Sequence, residues 1–133
     1  MLKKITLLFL WVSASTYGQC FDRFNIGQGH IVTIKSDGTL WGWGYSGYGQ
    51  LGSVSLSNVS PLQLSPDSNW IKIFNGYNNF FILKNNGSLW GVGQGDYGLL
   101  GNGSTTQTNT TLQQIGTATN WQKISASTDM TIG

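Results

Sequence analysis

One cysteine, one histidine, two prolines and no glutamate occur in 133 residues. A lone cysteine excludes a disulfide framework within the chain and a multi-cysteine zinc site. A lone histidine and five acidic residues, all aspartate, leave little material for acid–base or metal chemistry. No catalytic residue, metal ligand or cofactor is therefore expected, and the sequence reads as that of a non-enzyme. Charged residues are only 9%, far below the roughly 25% of an ordinary soluble domain. What is abundant is glycine, with 19 residues, and aromatic side chains, at 13%. Hydrophobic residues at 39% are enough to fold, so a disordered chain is not expected. Glycine and aromatics with few charges point to tightly packed, turn-rich β-structure.

The N-terminus carries a processing pattern. Lys3 and Lys4 precede an apolar run from Ile5 to Val12, and mostly small residues follow from Ser13 to Gly18. This resembles an export signal over residues 1–18, with cleavage after Gly18. The run is too short to span a membrane, which takes roughly 20 apolar residues. Cys20 lies near the cleavage zone, but Tyr17-Gly18-Gln19 before it lacks the leucine and small residue of a lipidation signal. A secreted or cell-surface location, extracellular or periplasmic, is expected. Beyond the signal, Arg23, Lys35, Lys72, Lys84 and Lys123 balance Asp22, Asp37, Asp67, Asp96 and Asp129. A neutral mature chain has no electrostatic footprint for phosphate backbones, so nucleic acid is not an expected partner.

The chain repeats. Ile31 to Gly52 aligns without gaps on Phe80 to Gly101 at an offset of 49, with 10 of 22 positions identical. The identities are Lys35/Lys84, Gly38/Gly87, Leu40/Leu89, Trp41/Trp90, Gly42/Gly91, Gly44/Gly93, Tyr48/Tyr97, Gly49/Gly98, Leu51/Leu100 and Gly52/Gly101. Asn69-Trp70-Ile71-Lys72-Ile73 returns as Asn120-Trp121-Gln122-Lys123-Ile124 at an offset of 51, which places two extra residues in the second linker. Phe21 precedes Trp41 by 20 residues, as Trp70 precedes Trp90, so the first unit starts near Cys20. Units over about 20–68 and 69–119, and the start of a third over 120–133, are expected.

Each unit reads as strands. Ile31–Lys35 and Thr39–Trp43 are joined through Asp37-Gly38, and Phe80–Lys84 and Ser88–Val92 through Asn86-Gly87. Such dipeptides between apolar runs are strong hairpin signals, because both residues accept positive φ. Further strands are expected at Pro61–Leu64, echoed by Leu112–Ile115, and at Trp70–Phe74, echoed by Trp121–Ser125. No stretch has helical periodicity with caps. Four short strands per unit of about 50 residues describe an all-β, antiparallel propeller blade.

The run Gly29-His30, Lys35-Ser36-Asp37-Gly38-Thr39-Leu40-Trp41-Gly42-Trp43-Gly44 and Gly49-Gln50-Leu51-Gly52 resembles the repeat of the regulator of chromosome condensation family. The second unit departs from it with Asn79 for the histidine, Asn86 for the aspartate and Leu99 for the glutamine. The resemblance implies a ring of about seven blades and a structural, hydrogen-bonding role for His30. The 115 residues after Gly18 hold little more than two units of 49. Repeat units bury their faces against neighbours, so further blades of a longer chain, or self-association, are expected to cover the rest.

Gly42-x-Gly44-x-x-Gly47 and Gly93-x-Gly95-x-x-Gly98 match a dinucleotide fingerprint, but that fingerprint must open a helix, and neither run leads into one. The repeated glycines, Trp41 and Trp90, and Leu51 and Leu100 are assigned to packing. Trp70 and Trp121 recur likewise, whereas Trp43 and Tyr45 differ between units and are free to make surface contacts. A secreted binding scaffold is expected, whose loops meet a protein or glycan. The resemblance supplies the alternative of guanine-nucleotide exchange, which an export signal disfavours.

Overall fold

The structure is a computed structural model that describes residues 21–126 together with 131 and 132. The expected export signal, Cys20 and Asp129 lie outside the described residues. The chain is all-β. Strands β1 (Phe21–Ile26), β2 (His30–Lys35), β3 (Leu40–Ser46) and β4 (Ser55–Ser65) form one antiparallel sheet in that order. Strands β5 (Trp70–Asn75), β6 (Asn79–Lys84), β7 (Leu89–Gln94) and β8 (Thr108–Gln114) form a second with the same order. The short strands β9 (Ser125–Ala126) and β10 (Thr131–Ile132) pair with each other. The only helical turn among the described residues is a 3-10 turn at Asp96–Gly98.

Stacking of the two sheets builds the core. Val32, Ile34, Leu40 and Leu51 of the first unit pack on Trp70, Ile73, Phe80, Ile82 and Val92 of the second. Side chains alternate across a strand, so Phe81 and Leu83 face the other way. There they meet Leu89, Leu100, Ile115 and Ile124, with Trp121 and Ala126 against them. β6 is thus covered on both faces, as a strand inside a stack must be. Full burial of each such side chain contributes about 1.5–3 kcal/mol.

The 49-residue offset maps the packed face of the second sheet onto Phe24, Ile31, Thr33, Trp41 and Trp43 of the first. Ile26 shares that face, and Phe24 and Ile26 are exposed there. Across the stack Asn25 Nδ2 donates to the Ile73 carbonyl at 3.0 Å.

β4 aligns with β8 at an offset of 51, since Gly44 pairs with Asn58 and Gly93 with Asn109. The two extra residues of the second linker therefore sit in the loop between β7 and β8. One expectation changes: a strand over Trp121–Ser125 is found only from Ser125. β5 holds Trp70 extended by pairing it with Lys84, 14 residues on. The described residues after Trp121 offer only Thr131 and Ile132 as partners.

Candidate binding surface

The stack has two ends. At one end lie the tight hairpin turns around Gly38 and Gly87, each with positive φ (+81° and +82°) and a reverse-turn bond from its N–H to Lys35 or Lys84. A Cβ on Gly38 would sit 2.0 Å from the Ser68 carbonyl oxygen, and one on Gly87 2.1 Å from that of Thr119. Each turn is seated on the linker that follows its own sheet. A hydrogen-bond relay fixes it: Thr39 N–H and hydroxyl donate to Asp37 Oδ1 at 2.9 and 2.5 Å, and Trp41 Nε1 donates to Thr39 Oγ1 at 2.9 Å. Ser88, Asn86 and Trp90 repeat the relay at 3.0, 2.7 and 3.0 Å. The thirty-seventh side chain needs only an oxygen acceptor, and an amide supplies it as well as a carboxylate. The two donors from Thr39 hold the Asp37 carboxyl below its ordinary range.

Lysines cap these indoles. Lys35 Nζ lies 3.5 Å from the centre of the Trp41 ring, and Lys84 Nζ 4.7 Å from both Trp70 and Trp90, which meet edge to face. Lys84 also pairs with Asp67 at 2.6 Å. These cation–π contacts join neighbouring strands within each sheet.

The glycine-rich runs serve close approach. A Cβ on Gly42 would meet Leu51 and Leu64 at 2.7 and 2.9 Å, and one on Gly91 would meet Phe81 at 3.1 Å. Gly44 and Gly93 have φ of +103° and +105°, with carbonyl oxygens of Gly29 and Asn78 only 2.3 and 2.4 Å from an added Cβ. Gly42 is equivalent to Gly91, whereas the second fingerprint match starts at Gly93, so the two matches are not one repeated feature. Gly49 abuts the Asn109 carbonyl of the second sheet, while a Cβ at Gly98 would meet nothing within 4 Å among the described residues. Leu51 and Leu100 are buried in the two successive cores. Gly52 and Gly101 close the turns that begin at Gly49 and Gly98, with N–H to carbonyl distances of 3.0 and 2.9 Å.

At the opposite end the loops of both units meet. Gln28, Tyr45 and Tyr48 of the first unit surround a depression of about 440 Å³ with Tyr77 and Asn78 of the second. Tyr45 lies across Gly47, where a Cβ would touch its hydroxyl oxygen at 2.0 Å, and its N–H donates to the Gly29 carbonyl at 2.7 Å. The Tyr48 N–H donates to Gln50 Oε1 at 3.0 Å, and the Gln28 N–H to the Tyr77 carbonyl at 3.1 Å. Asn78 is 7% exposed; its Nδ2 donates to Gln94 Oε1 at 3.0 Å, and its buried Oδ1 has no hydrogen-bond partner among the described residues. None of the five lining residues is charged.

The Regulator of chromosome condensation (RCC1) repeat pattern matches residues 37–83, from the hairpin of the first sheet to the end of β6. The chain carries an RCC1 repeat. Among solved structures, it is similar to Prp20p from Saccharomyces cerevisiae, described with its binding to Gsp1p and histones, at a TM-score of 0.68 and 15% identity over 78% of this chain and 27% of that one. It is similar to yeast RCC1 (Prp20) bound to Kap60, at 0.73 and 21% over 83% and 26%. Human WBSCR16 matches at 0.63 and 19% over 76% and 26%. The chain thus spans about a quarter of the length of these structures, and the likeness shows the fold, a stack of propeller blades.

Within the RCC1 repeat framework, His30 is 1% exposed, and its ring packs over Gly27, where a Cβ would lie 2.2 Å from it. Burial pushes the imidazole below its ordinary pKa, opposed by a hydrogen bond with the Gln28 backbone. Asn79 replaces it over Gly76, with Nδ2 donating to the Gln94 carbonyl at 3.1 Å. Gly27/Gly76 at offset 49 and Asn58/Asn109 at offset 51 were detectable signals outside the 22-residue alignment. Asn109 Nδ2 ties down the β7–β8 loop through the carbonyls of Gly93 and Thr106.

A second concavity, of about 570 Å³, lies where β4 and β8 diverge, floored by Trp70, Trp90 and Phe80 and walled by Leu62, Leu64 and Leu112. Among the described residues, no three histidine, cysteine or acidic side chains cluster as a metal site would require. No helix among them is long and apolar enough to cross a membrane.

Proposed function

We propose that the chain is a secreted or cell-surface binding scaffold, without catalysis of its own, that engages a protein or glycan through the loop end of its stacked blades. One observation carries this reading: at the loop end, residues of both units line one uncharged, tyrosine-rich depression, and three of its positions differ between the units. Gln28 becomes Tyr77, Gly29 becomes Asn78 and Tyr45 becomes Gln94 at the 49-residue offset, and all but Gly29 and Gln94 line the tyrosine depression. A fold whose framework repeats and whose loops diverge is suited to presenting contacts on a rigid base.

The yeast structures of this fold are described with the protein partners Gsp1p, histones and Kap60; fold analogy transfers no partner to this chain. Nucleotide exchange is not favoured, because the basic and apolar start of the sequence reads as an export signal. Affinity capture tests the proposal. Alanine at Gln28, Tyr48 and Tyr77 together should abolish capture of a partner by the full chain, while alanine at Ser36 and Asn85 on the hairpin end should not. Equal capture by both variants would refute it.

A further inference from the structure

Resting on that reading, we infer that the depression between the two sheets binds a neutral saccharide, with tyrosine rings against its C–H face and the phenol hydroxyls and side-chain amides of the lining bonding to its hydroxyls. Three phenol rings and two amides line it, and no charge. A phosphate, carboxylate or ammonium ligand would lose its hydration there with nothing opposite in sign to receive it. Flat aromatic faces interleaved with amides suit instead a ligand whose ring has an apolar face and a hydroxylated rim.

Asn78 is held in place within the lining. Its Nδ2 donates to Gln94 Oε1 at 3.0 Å, which fixes the amide at the boundary between the two sheets.

The loop backbone that carries the rings is also fixed before any ligand arrives. Gly47 and Gly29 leave space for the Tyr45 side chain, the Tyr45 N–H donates to Gly29, the Tyr48 N–H to the Gln50 side chain, and the Tyr77 carbonyl accepts from Gln28. A loop already ordered loses less conformational freedom on binding. The depression occurs once among the described residues, because Tyr45 and Gln28 come from one unit and Tyr77 and Asn78 from the next. The second unit has Gln94 in place of Tyr45, and its Tyr97 is 91% exposed.

Isothermal titration of the full-length chain with cellohexaose, chitohexaose and maltohexaose tests the inference. At least one should bind saturably. Tyr77→Ala and Tyr45→Ala should each weaken that binding about tenfold, as expected for loss of an aromatic anchor. Tyr97→Ala, outside the depression, should leave it within about twofold. Thermal unfolding of each variant establishes that it is folded. No binding of any of the three by a folded chain, or unchanged binding by Tyr77→Ala, would overturn the saccharide assignment. If partner capture still depends on the loop end in that case, the scaffold reading stands without it; if capture does not, both fall.

Discussion

The N–H of Gln28 donates to the carbonyl of Tyr77 at 3.1 Å, joining the loop of one sheet to the loop of the next. Through that bond, residues 49 apart in equivalent positions become neighbours, and the depression takes shape between them. Tyr77 is 38% exposed, and its side chain fills no core. Tyr77→Ala should therefore change unfolding stability by no more than about 0.5 kcal/mol, measured by chemical denaturation. A large loss would mean that the ring is structural.

The hairpin relay should depend on its hydroxyl and not on its carboxylate. Ser88→Ala removes the acceptor for Trp90 Nε1 and the donor to Asn86 together, and should cost about 1 kcal/mol. Asp37→Asn, which copies Asn86, should be nearly neutral at pH 7. Since the folded Asp37 carboxyl is held below its ordinary value of 3.8, its contribution is present above the unfolded pKa and is lost as pH falls through the folded one. Melting temperatures between pH 5 and pH 2 should therefore fall less steeply for the asparagine variant.

His30 gives dependence in a different window. Its ordinary value is 6.5 and burial lowers the folded one. Above pH 6.5 both states are neutral and stability is full. As pH falls below that value the unfolded chain takes a proton that the folded chain refuses, so stability declines. His30→Asn, the residue at the equivalent Asn79, should flatten the melting temperature between pH 7.5 and pH 5. The same decline in the variant would exclude His30 as its source.

Gly93→Ala tests the glycine runs. An added Cβ meets the Asn78 carbonyl at 2.4 Å with φ at +105°, so the variant should lose on the order of 1–3 kcal/mol. ATP, GTP or NAD should not shift the melting temperature of the parent chain. A nucleotide-induced shift that vanishes in Gly93→Ala would restore the fingerprint reading.

Much of the framework was legible in sequence because its determinants are local. Asp37-Gly38 and Asn86-Gly87 announce two hairpins, and the flanking apolar runs supply β2, β3, β6 and β7. β4 was seen only from Pro61, because Ser55 to Ser60 has the composition of a loop; it is extended by pairing with β3, a contact no local signal reveals. The flanking Asn-Trp motif fixes the number of extra residues in the second linker, and the pairing of Asn58 and Asn109 with Gly44 and Gly93 narrows them to the β7–β8 loop. The tyrosine depression was not legible at all. Tyr45 could be seen to differ between units, but its meeting with Tyr77 follows from stacking, which depends on the cores and not on the loops.

Hydrogen exchange of the full-length chain, with and without its captured partner, measures most directly where binding occurs. Amides of residues 27–29, 45–50 and 76–78 should exchange more slowly in the complex, with the turns at 36–38 and 85–87 unchanged. Protection confined to those turns, or to the β4 edge, would place the binding surface elsewhere and contradict the loop-end assignment.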